Sequence, residues 1–523
     1  MMAVRAAFII FAIVVANINY GAAAMTKTET DSRASPVMAD FVSMKEHSDG
    51  ESDGDRLGLH EGLVDGLKLG LHDGLHDIPL PSADVLKWLE MEIGVMITFN
   101  MATFMPTCAG NGLCATVGGC KGWLPPRDTF NPVGLDTDQW AQSMVEYGAK
   151  YGVLVIQHCG GFSMFQTNEE TLKATGFNYT YSVDFTQWGD GKRDIMAEFV
   201  ASCKKFGLRP AVYYSLNHNY YLNVGSGKVL PGPLLPGQVN VTQALYEKIA
   251  LAQYTQLLTN YGEQAEVWFD GGMSVIPGFA DLVLEKQPHA VYLNGVAPPS
   301  TKGGRTNNVR WVGTESGTPA HPVWSTTGKY GEAGAGAPFP QGAVFDPAEV
   351  DTTLYSIDHW FWSNLTQFKI RSLEELQNIY HASVGNNGHL LMNLTPNSTG
   401  LVPDAHAARY KAAGAWAARC YGASNVVANA SSRNGAASLT LGPFDRAVDR
   451  VAIQEDLAQG ERVLAFALAD GQGNAVGGGT AVGYKRIAML ARTLAKGERL
   501  TLTVTKALLP PMIKAFAAFA PCS

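Results

Sequence analysis

The feature that most constrains the fold is a repeated arrangement: an apolar run of strand length closes on a polar residue, and a helix-length amphipathic stretch leads to the next run. Ala265-Glu266-Val267-Trp268-Phe269-Asp270-Gly271-Gly272 is its sharpest instance. A buried strand here ends by presenting Asp270 at its carboxyl end, because two glycines then turn the backbone. A solvated Asp270 capping a following helix is the alternative. Further strands are expected over 93–100, 153–158, 209–215, 290–293 and 309–314, the last closing on Glu315. Helices are expected over 83–89, with Ser82 or Asp84 as cap, and over 136–150, 193–206, 243–261 and 281–286.

Alternating helices and apolar strands predict a parallel sheet covered by helices, and the length of 82–422 suits a (β/α)8-like TIM barrel. Such barrels keep their chemistry at the carboxyl ends of the strands. No Gly-x-Gly-x-x-Gly run follows the first strand, so a dinucleotide fold is not indicated. The Gly-rich run 331–336 has no Lys-Ser/Thr and reads as cover over a site. Over 423–523 short alternating runs such as Ser438-Leu439-Thr440-Leu441, parted by Gly, Asn and Asp, predict an antiparallel β-sandwich accessory domain.

Two folded domains in 523 residues agree with the size at which single cores stop growing, roughly 250–300 residues. Residues 1–24 read as a secretory signal peptide, with Arg5, an apolar core and Ala22-Ala23-Ala24 for cleavage. Residues 25–81 read as a low-complexity linker carrying five Gly-Leu tetrads; His60, His72 and His76 there are at most weak metal ligands. A formal charge of −8 offers no basic face for nucleic acid, and past the signal no apolar run is long enough to span a bilayer. Six Asn-x-Ser/Thr sequons, at Asn178, Asn240, Asn364, Asn393, Asn397 and Asn429, fit a secreted glycoprotein, with Asn393 the candidate for burial. Among seven cysteines, Cys108, Cys114 and Cys120 lie in a Gly-rich loop whose spacing suits a disulfide better than structural zinc.

Several runs, taken in order, resemble the glycoside hydrolase family 29 α-L-fucosidases. They are the Val153–Phe165 stretch with Gln157-His158, the Trp268-Phe269-Asp270-Gly271 run, Trp311-Val312-Gly313-Thr314-Glu315-Ser316-Gly317, Trp360-Phe361-Trp362 and the stretch over 388–401. The stretches over 451–463 and 479–486 resemble the β-domain of plant-type members. The resemblance implies a retaining exo-glycosidase with Asp270 as nucleophile and, as in the subgroup acting on branched α-1,3/4-linked fucose, Glu315 as acid/base. Glu349 is a second candidate for the acid. It implies a fucosylated oligosaccharide or glycoprotein glycan as partner, and no metal or other cofactor.

The chain departs from the family pattern at two positions. Thr98 stands where a strand-end His is expected, and His158-Cys159-Gly160-Gly161-Phe162 replaces a His-His-Asp-Gly-Phe run. The candidate sugar-binding set is therefore His158, Trp268, Trp324, Trp360, Thr98 and Cys159, with the tryptophans as stacking platforms. Cys159 also reads as a small buried space-filler. Two alternatives remain: a glycan-binding pseudoenzyme, or a glycosidase re-tuned to another sugar. A metal hydrolase built on His158, Cys159 and Asp270 lacks any recognisable ligand spacing.

Overall fold

The computed structural model describes residues 78–105, 124–272, 276–293, 306–331, 342–357 and 359–522. The expected signal peptide, nearly all of the expected linker and the stretch with Cys108, Cys114 and Cys120 lie outside the described residues.

Eight parallel strands close a barrel: β1 (Ile93–Ile97), β2 (Tyr151–Gln157), β3 (Arg209–Ser215), β4 (Glu266–Asp270), β5 (Val291–Leu293), β6 (Asn308–Trp311), β7 (Ala348–Thr352) and β8 (His389–Leu394). Each pairs with its sequence neighbours, and β8 returns to β1 with Ile93 opposite Leu390. The expected barrel is therefore found, with β7 and β8 added to the strands read from sequence. The alternation of strand side chains sorts residues into two shells. Val153, Val155, Ala211, Tyr213, Trp268, Val309 and Trp311 share one cluster inside the barrel. Leu154, Ile156, Val212, Tyr214, Val267 and Phe269, the odd-even partners, pack outward against the helices. Gly94 belongs to the inner set: a Cβ there would fall 2.3 Å from the Tyr151 ring, so only glycine leaves room for that phenol.

The barrel helices are α1 (Ala83–Met91), α2 (Thr137–Tyr147), α3 (Asn168–Thr175), α4 (Ile195–Phe206), α5 (Gln243–Asn260), α6 (Phe279–Lys286), α7 (Leu373–Ala382) and α8 (Asp404–Tyr421). Their starts follow ordinary capping chemistry. The Ser82 hydroxyl accepts from Val85 N–H to open α1, and Ser372 with Glu375 forms a capping box on α7. Helix α1 sends Val85, Trp88 and Leu89 into the inner cluster and so closes the end from which the strands start. The opposite, carboxyl-terminal end stays available for a site. Among the described residues no helix is long and apolar enough to cross a membrane.

After α8 come two four-stranded antiparallel sheets built from β9 (Val426–Ser432), β10 (Ser438–Leu441), β11 (Val448–Glu455), β12 (Val463–Asp470), β13 (Ala475–Thr480), β14 (Arg486–Leu494), β15 (Leu500–Ala507) and β16 (Ile513–Phe519). One sheet runs β9-β16-β11-β14 and the other β10-β15-β12-β13, enclosing a second apolar core around Phe466 and Phe516. A disulfide between Cys420 and Cys522 ties the end of α8 to the segment after β16. The turn before β8 is gripped by the sandwich: Asn387 donates to Glu461, 3.1 Å, and the Ile487 amide to Gly385, 2.8 Å. Ala452, Ile487 and Phe519 join the barrel's outer apolar cluster, so the two cores meet through a packed interface.

Candidate active site

The site grows from the inner face of β4. Period-two alternation sets Glu266, Trp268 and Asp270 on that face at successive levels, while Val267 and Phe269 fill the outer shell. Gly271 and Gly272 then take positive φ, +94° and +83°, which an L side chain adopts only with strain. A Cβ on Gly271 would also lie 2.5 Å from the Asn217 side chain, so the sharp exit beside Asp270 depends on this glycine.

Strand β3 supplies the partner. Its register sets Tyr213 beside Trp268 and Ser215 beside Asp270. The Tyr213 hydroxyl donates to Asp270 Oδ2 at 2.7 Å, and its ring stacks on Trp268 with centroids 5.0 Å apart. Burial first, then the Asp270 charge, pushes the phenol well above its ordinary range, so Tyr213 stays a donor. Glu315 also acts on this phenol through its charge, so both candidate carboxyls lie within electrostatic reach of one hydroxyl. Sequence reading missed Tyr213, although alternation from Ala211 to Ser215 in a strand beside β4 would have turned it inward.

His158 follows β2 directly. A ring nitrogen of His158 and a carboxylate oxygen of Asp270 lie within 4.8 Å of each other. The ring stacks 5.8 Å from Tyr213 and meets Phe361 edge-on at 5.1 Å. Its buried Nδ1 has no hydrogen-bond partner, an opening for a ligand or water. Burial lowers its pKa to about 4; Asp270 opposes that shift and His218 adds to it. The imidazole is therefore neutral at pH 7, able to donate from one nitrogen and accept at the other. Cys159 corrects the sequence reading. It is buried and disulfide-bonded, so it carries no free thiol and does more than fill space. The same bond removes a thiolate from the His158, Cys159 and Asp270 trio, leaving two ligands where a metal hydrolase needs at least three.

Glu315 does not end a strand, as the sequence suggested. Strand β6 stops at Trp311, and Gly313 and Gly317, both at positive φ, carry Glu315 out on an exposed turn. The Trp360 indole N–H holds its Oε2 at 2.9 Å. Trp360 is itself anchored from the barrel rim, because its carbonyl accepts from the Thr98 hydroxyl and from Asn393 Nδ2. Thr98 also accepts from Asn393 at 2.5 Å, so its hydroxyl is committed to the Trp360 loop and does not stand in for a sugar-binding imidazole. Beside Glu315 opens a cleft of about 460 Å³ lined by Trp311, Thr314, Glu315, Thr353, Ile357 and Arg371. The lining Trp311 donates its indole N–H to Asp351 at 2.8 Å, and burial raises the Asp351 pKa well above its ordinary range, with Glu315 and Glu349 adding to the shift.

Two other candidates lie elsewhere. Trp324 is buried with its carbonyl bonded to Arg310, and its neighbours Val323 and Ser325 bond Asn387, which precedes β8. It belongs to the end where β7 and β8 begin, opposite Asp270, and offers no sugar platform. Glu349, early in β7, has no exposure and accepts from the Trp268 indole at 2.8 Å, one level below the mouth. A proton donor to a leaving group must reach it, and Glu349 does not.

The α-L-fucosidase family model matches residues 121–422, more than half of the sequence. The chain belongs to the α-L-fucosidase family. α-L-Fucosidase 1 of Arabidopsis thaliana is 29% identical over 350 residues, which are 62% of this chain and 58% of the relative, so the matched part spans under two thirds of that protein. A protein of Oryza sativa subsp. japonica assigned as α-L-fucosidase 1 is 24% identical over 496 residues, 84% of this chain and 85% of its own. A crystal structure from Bacteroides thetaiotaomicron, assigned as an α-L-fucosidase, superposes with a TM-score of 0.73 at 29% identity, covering 85% of this chain and all of that one. Barrel and sandwich together are thus the architecture of this fucosidase family.

The His158 environment gives a checkable sign. A folded pKa lowered from 6.5 to about 4 means that the neutral ring contributes stability present above pH 6.5 and lost as the pH falls toward 4. Histidine NMR across pH 3–8 is expected to show His158 neutral down to about pH 4. Titration near 6.5 in the folded protein would contradict this environment.

Proposed function

We propose that the chain is a retaining exo-α-L-fucosidase acting on terminal, α-1,3/4-branched fucose, with Asp270 as nucleophile and Glu315 as acid/base. The observation that carries the reading is the carboxylate at the barrel mouth: Asp270 ends β4 on its inner face, with the Tyr213 hydroxyl donating to its Oδ2 at 2.7 Å. Asp270 is fixed at the end of a strand, and Glu315 rides on a turn that Trp360 tethers.

Retention requires two carboxyls about 5–5.5 Å apart in the working complex. Asp270 attacks the anomeric carbon as the glycosidic C–O bond breaks, and the Glu315 carboxyl gives its proton to the departing oxygen. Water then attacks the same carbon, Glu315 takes its proton, and the bond to Asp270 breaks to free fucose with its anomeric configuration kept. Neutral His158, with Nδ1 unpartnered, suits a fucose hydroxyl beside Asp270. The cleft beyond Glu315 suits the leaving sugar and its branch. With Thr98 and Cys159 committed to internal bonds, recognition falls to fewer side chains than the family pattern implies.

Release of chromophore from an aryl α-L-fucoside and of fucose from a branched α-1,3/4-fucosylated oligosaccharide tests the assignment. Asp270→Ala is expected to lower kcat on the order of 10⁴-fold or more. Glu315→Ala is expected to lose about 10²–10⁴-fold on the oligosaccharide, with azide restoring part of the aryl-fucoside rate. A folded parent without turnover on either substrate, yet retaining glycan binding, would replace this reading with that of a lectin-like pseudoenzyme.

We also propose passage through the secretory route, supported by the sequence of residues 1–24 and by the exposure of Asn178, Asn240, Asn364 and Asn429. Asn393 is fully buried in β8, and Asn397 Oδ1 already accepts from Thr399. Glycopeptide mapping of the eukaryotically expressed protein should find glycans among the four exposed sites and none on Asn393. Bare asparagines throughout would contradict this route.

A further inference from the structure

A carboxyl without exposure in the middle of a barrel, out of reach of any substrate, needs another explanation. Glu349 Oε1 accepts from Trp268 Nε1 at 2.8 Å. Trp268 stacks on Tyr213, and Tyr213 donates to Asp270 at 2.7 Å. Three contacts thus connect β7 in the interior to the carboxylate at the mouth. We propose that Glu349 is a positioning residue for this site: it fixes the Trp268 indole by its N–H and, through the Trp268–Tyr213 stack, the hydroxyl that aims Asp270. The inference rests on the fucosidase reading above.

The surroundings of Glu349 explain why a carboxyl is tolerated there. Its other close partner is Glu266, one level below Trp268 on the same strand, and the two carboxyls hydrogen-bond each other. The Tyr151 phenol and the Trp88 indole face Glu266, and one proton shared with Glu349 turns two repelling carboxylates into an acid–carboxylate pair. Burial raises both groups, and each raises the other's cost of ionising, so at least one proton stays with the pair at neutral pH. The other groups facing the pair include the Trp88 indole on α1, the Tyr151 phenol, 3.4 Å from Glu349 Oε2, the Asp351 carboxyl on β7 and His389 on β8. Burial raises the Asp351 pKa well above its ordinary range and lowers that of His389 to about 3, so the His389 ring is neutral. Among the described residues no cation pairs with either glutamate: the nearby Arg310 guanidinium is bonded to the Asp346 and Trp324 carbonyls. The pair is therefore a hydrogen-bonding unit whose outward acceptor is aimed at one indole. An apolar residue at 349 would leave the Trp268 N–H buried without a partner and the ring free to rotate.

The test compares Glu349→Leu with Glu349→Gln on an aryl α-L-fucoside, each variant first checked for folding by circular dichroism and thermal unfolding. Glutamine keeps a carbonyl acceptor for Trp268 and an N–H for Glu266, whereas leucine keeps neither. Glu349→Leu is expected to lose about 10- to 100-fold in kcat with KM little changed, since Asp270 is displaced while sugar contacts remain. Glu349→Gln is expected to recover most of that loss. Equal kcat in Glu349→Leu and the parent would overturn the proposal, as would equal losses in both variants, which mark a merely structural role. If Glu349→Leu does not fold, Trp268→Phe deletes the same hydrogen bond from the other end, and an unchanged kcat there also overturns it. A folded parent without fucosidase turnover removes the reading beneath, and this inference with it; an active parent isolates the role of Glu349.

Discussion

The arrangement rests on one constraint, the period-two alternation of β4, which forces Glu266, Trp268 and Asp270 onto one line inside the barrel. Asp270 at the top faces the mouth, Trp268 in the middle meets Tyr213, and Glu266 at the bottom shares its site with Glu349. A one-residue slip would turn all three outward and bury Val267 and Phe269 in their place. Fold and site are therefore specified by the same register. The polar interior is costly, and its carboxyls are retained as protonated or shared groups bound to indoles and phenols.

The second carboxyl is held by different means. Glu315 rides on a turn beyond β6, and its position depends on Trp360, whose backbone is fastened to Thr98 and Asn393 at the ends of β1 and β8. The nucleophile candidate thus sits on a rigid strand and the acid/base candidate on a tethered loop. That division suits the proposed roles, in which Asp270 is fixed against one carbon while Glu315 serves first the leaving oxygen and then water.

Much of this was legible in the sequence because apolar strands announce themselves. The strands before Asp270 and His158 are largely apolar runs, and their polar terminators stand at the carboxyl-terminal end of the barrel. Strands β7 and β8 were not legible for the opposite reason: Glu349, Asp351, His389 and Asn393 occupy inward positions, so Ala348–Thr352 and His389–Leu394 do not read as buried strands. Glu315 was expected at a strand end because Val312 prolongs the apolar run, whereas Gly313 stops it earlier. Trp324 illustrates the limit of reading aromatics from sequence, since a tryptophan near a catalytic motif in the chain lies at the far end of the barrel in space. Cys159 was legible as small and buried, but a disulfide leaves no local signal at one of its cysteines.

The central claim is that Asp270 forms the covalent bond to the sugar. A 2-deoxy-2-fluoro fucosyl fluoride tests it most directly: the ring fluorine slows both steps, while the fluoride leaving group lets the first proceed, so a glycosyl–enzyme accumulates. Proteolysis and mass spectrometry of the trapped protein should find the fluorofucosyl mass on the peptide carrying Asp270 and on no other carboxyl. An adduct on a different residue, or turnover with inverted product and no adduct, would contradict the account.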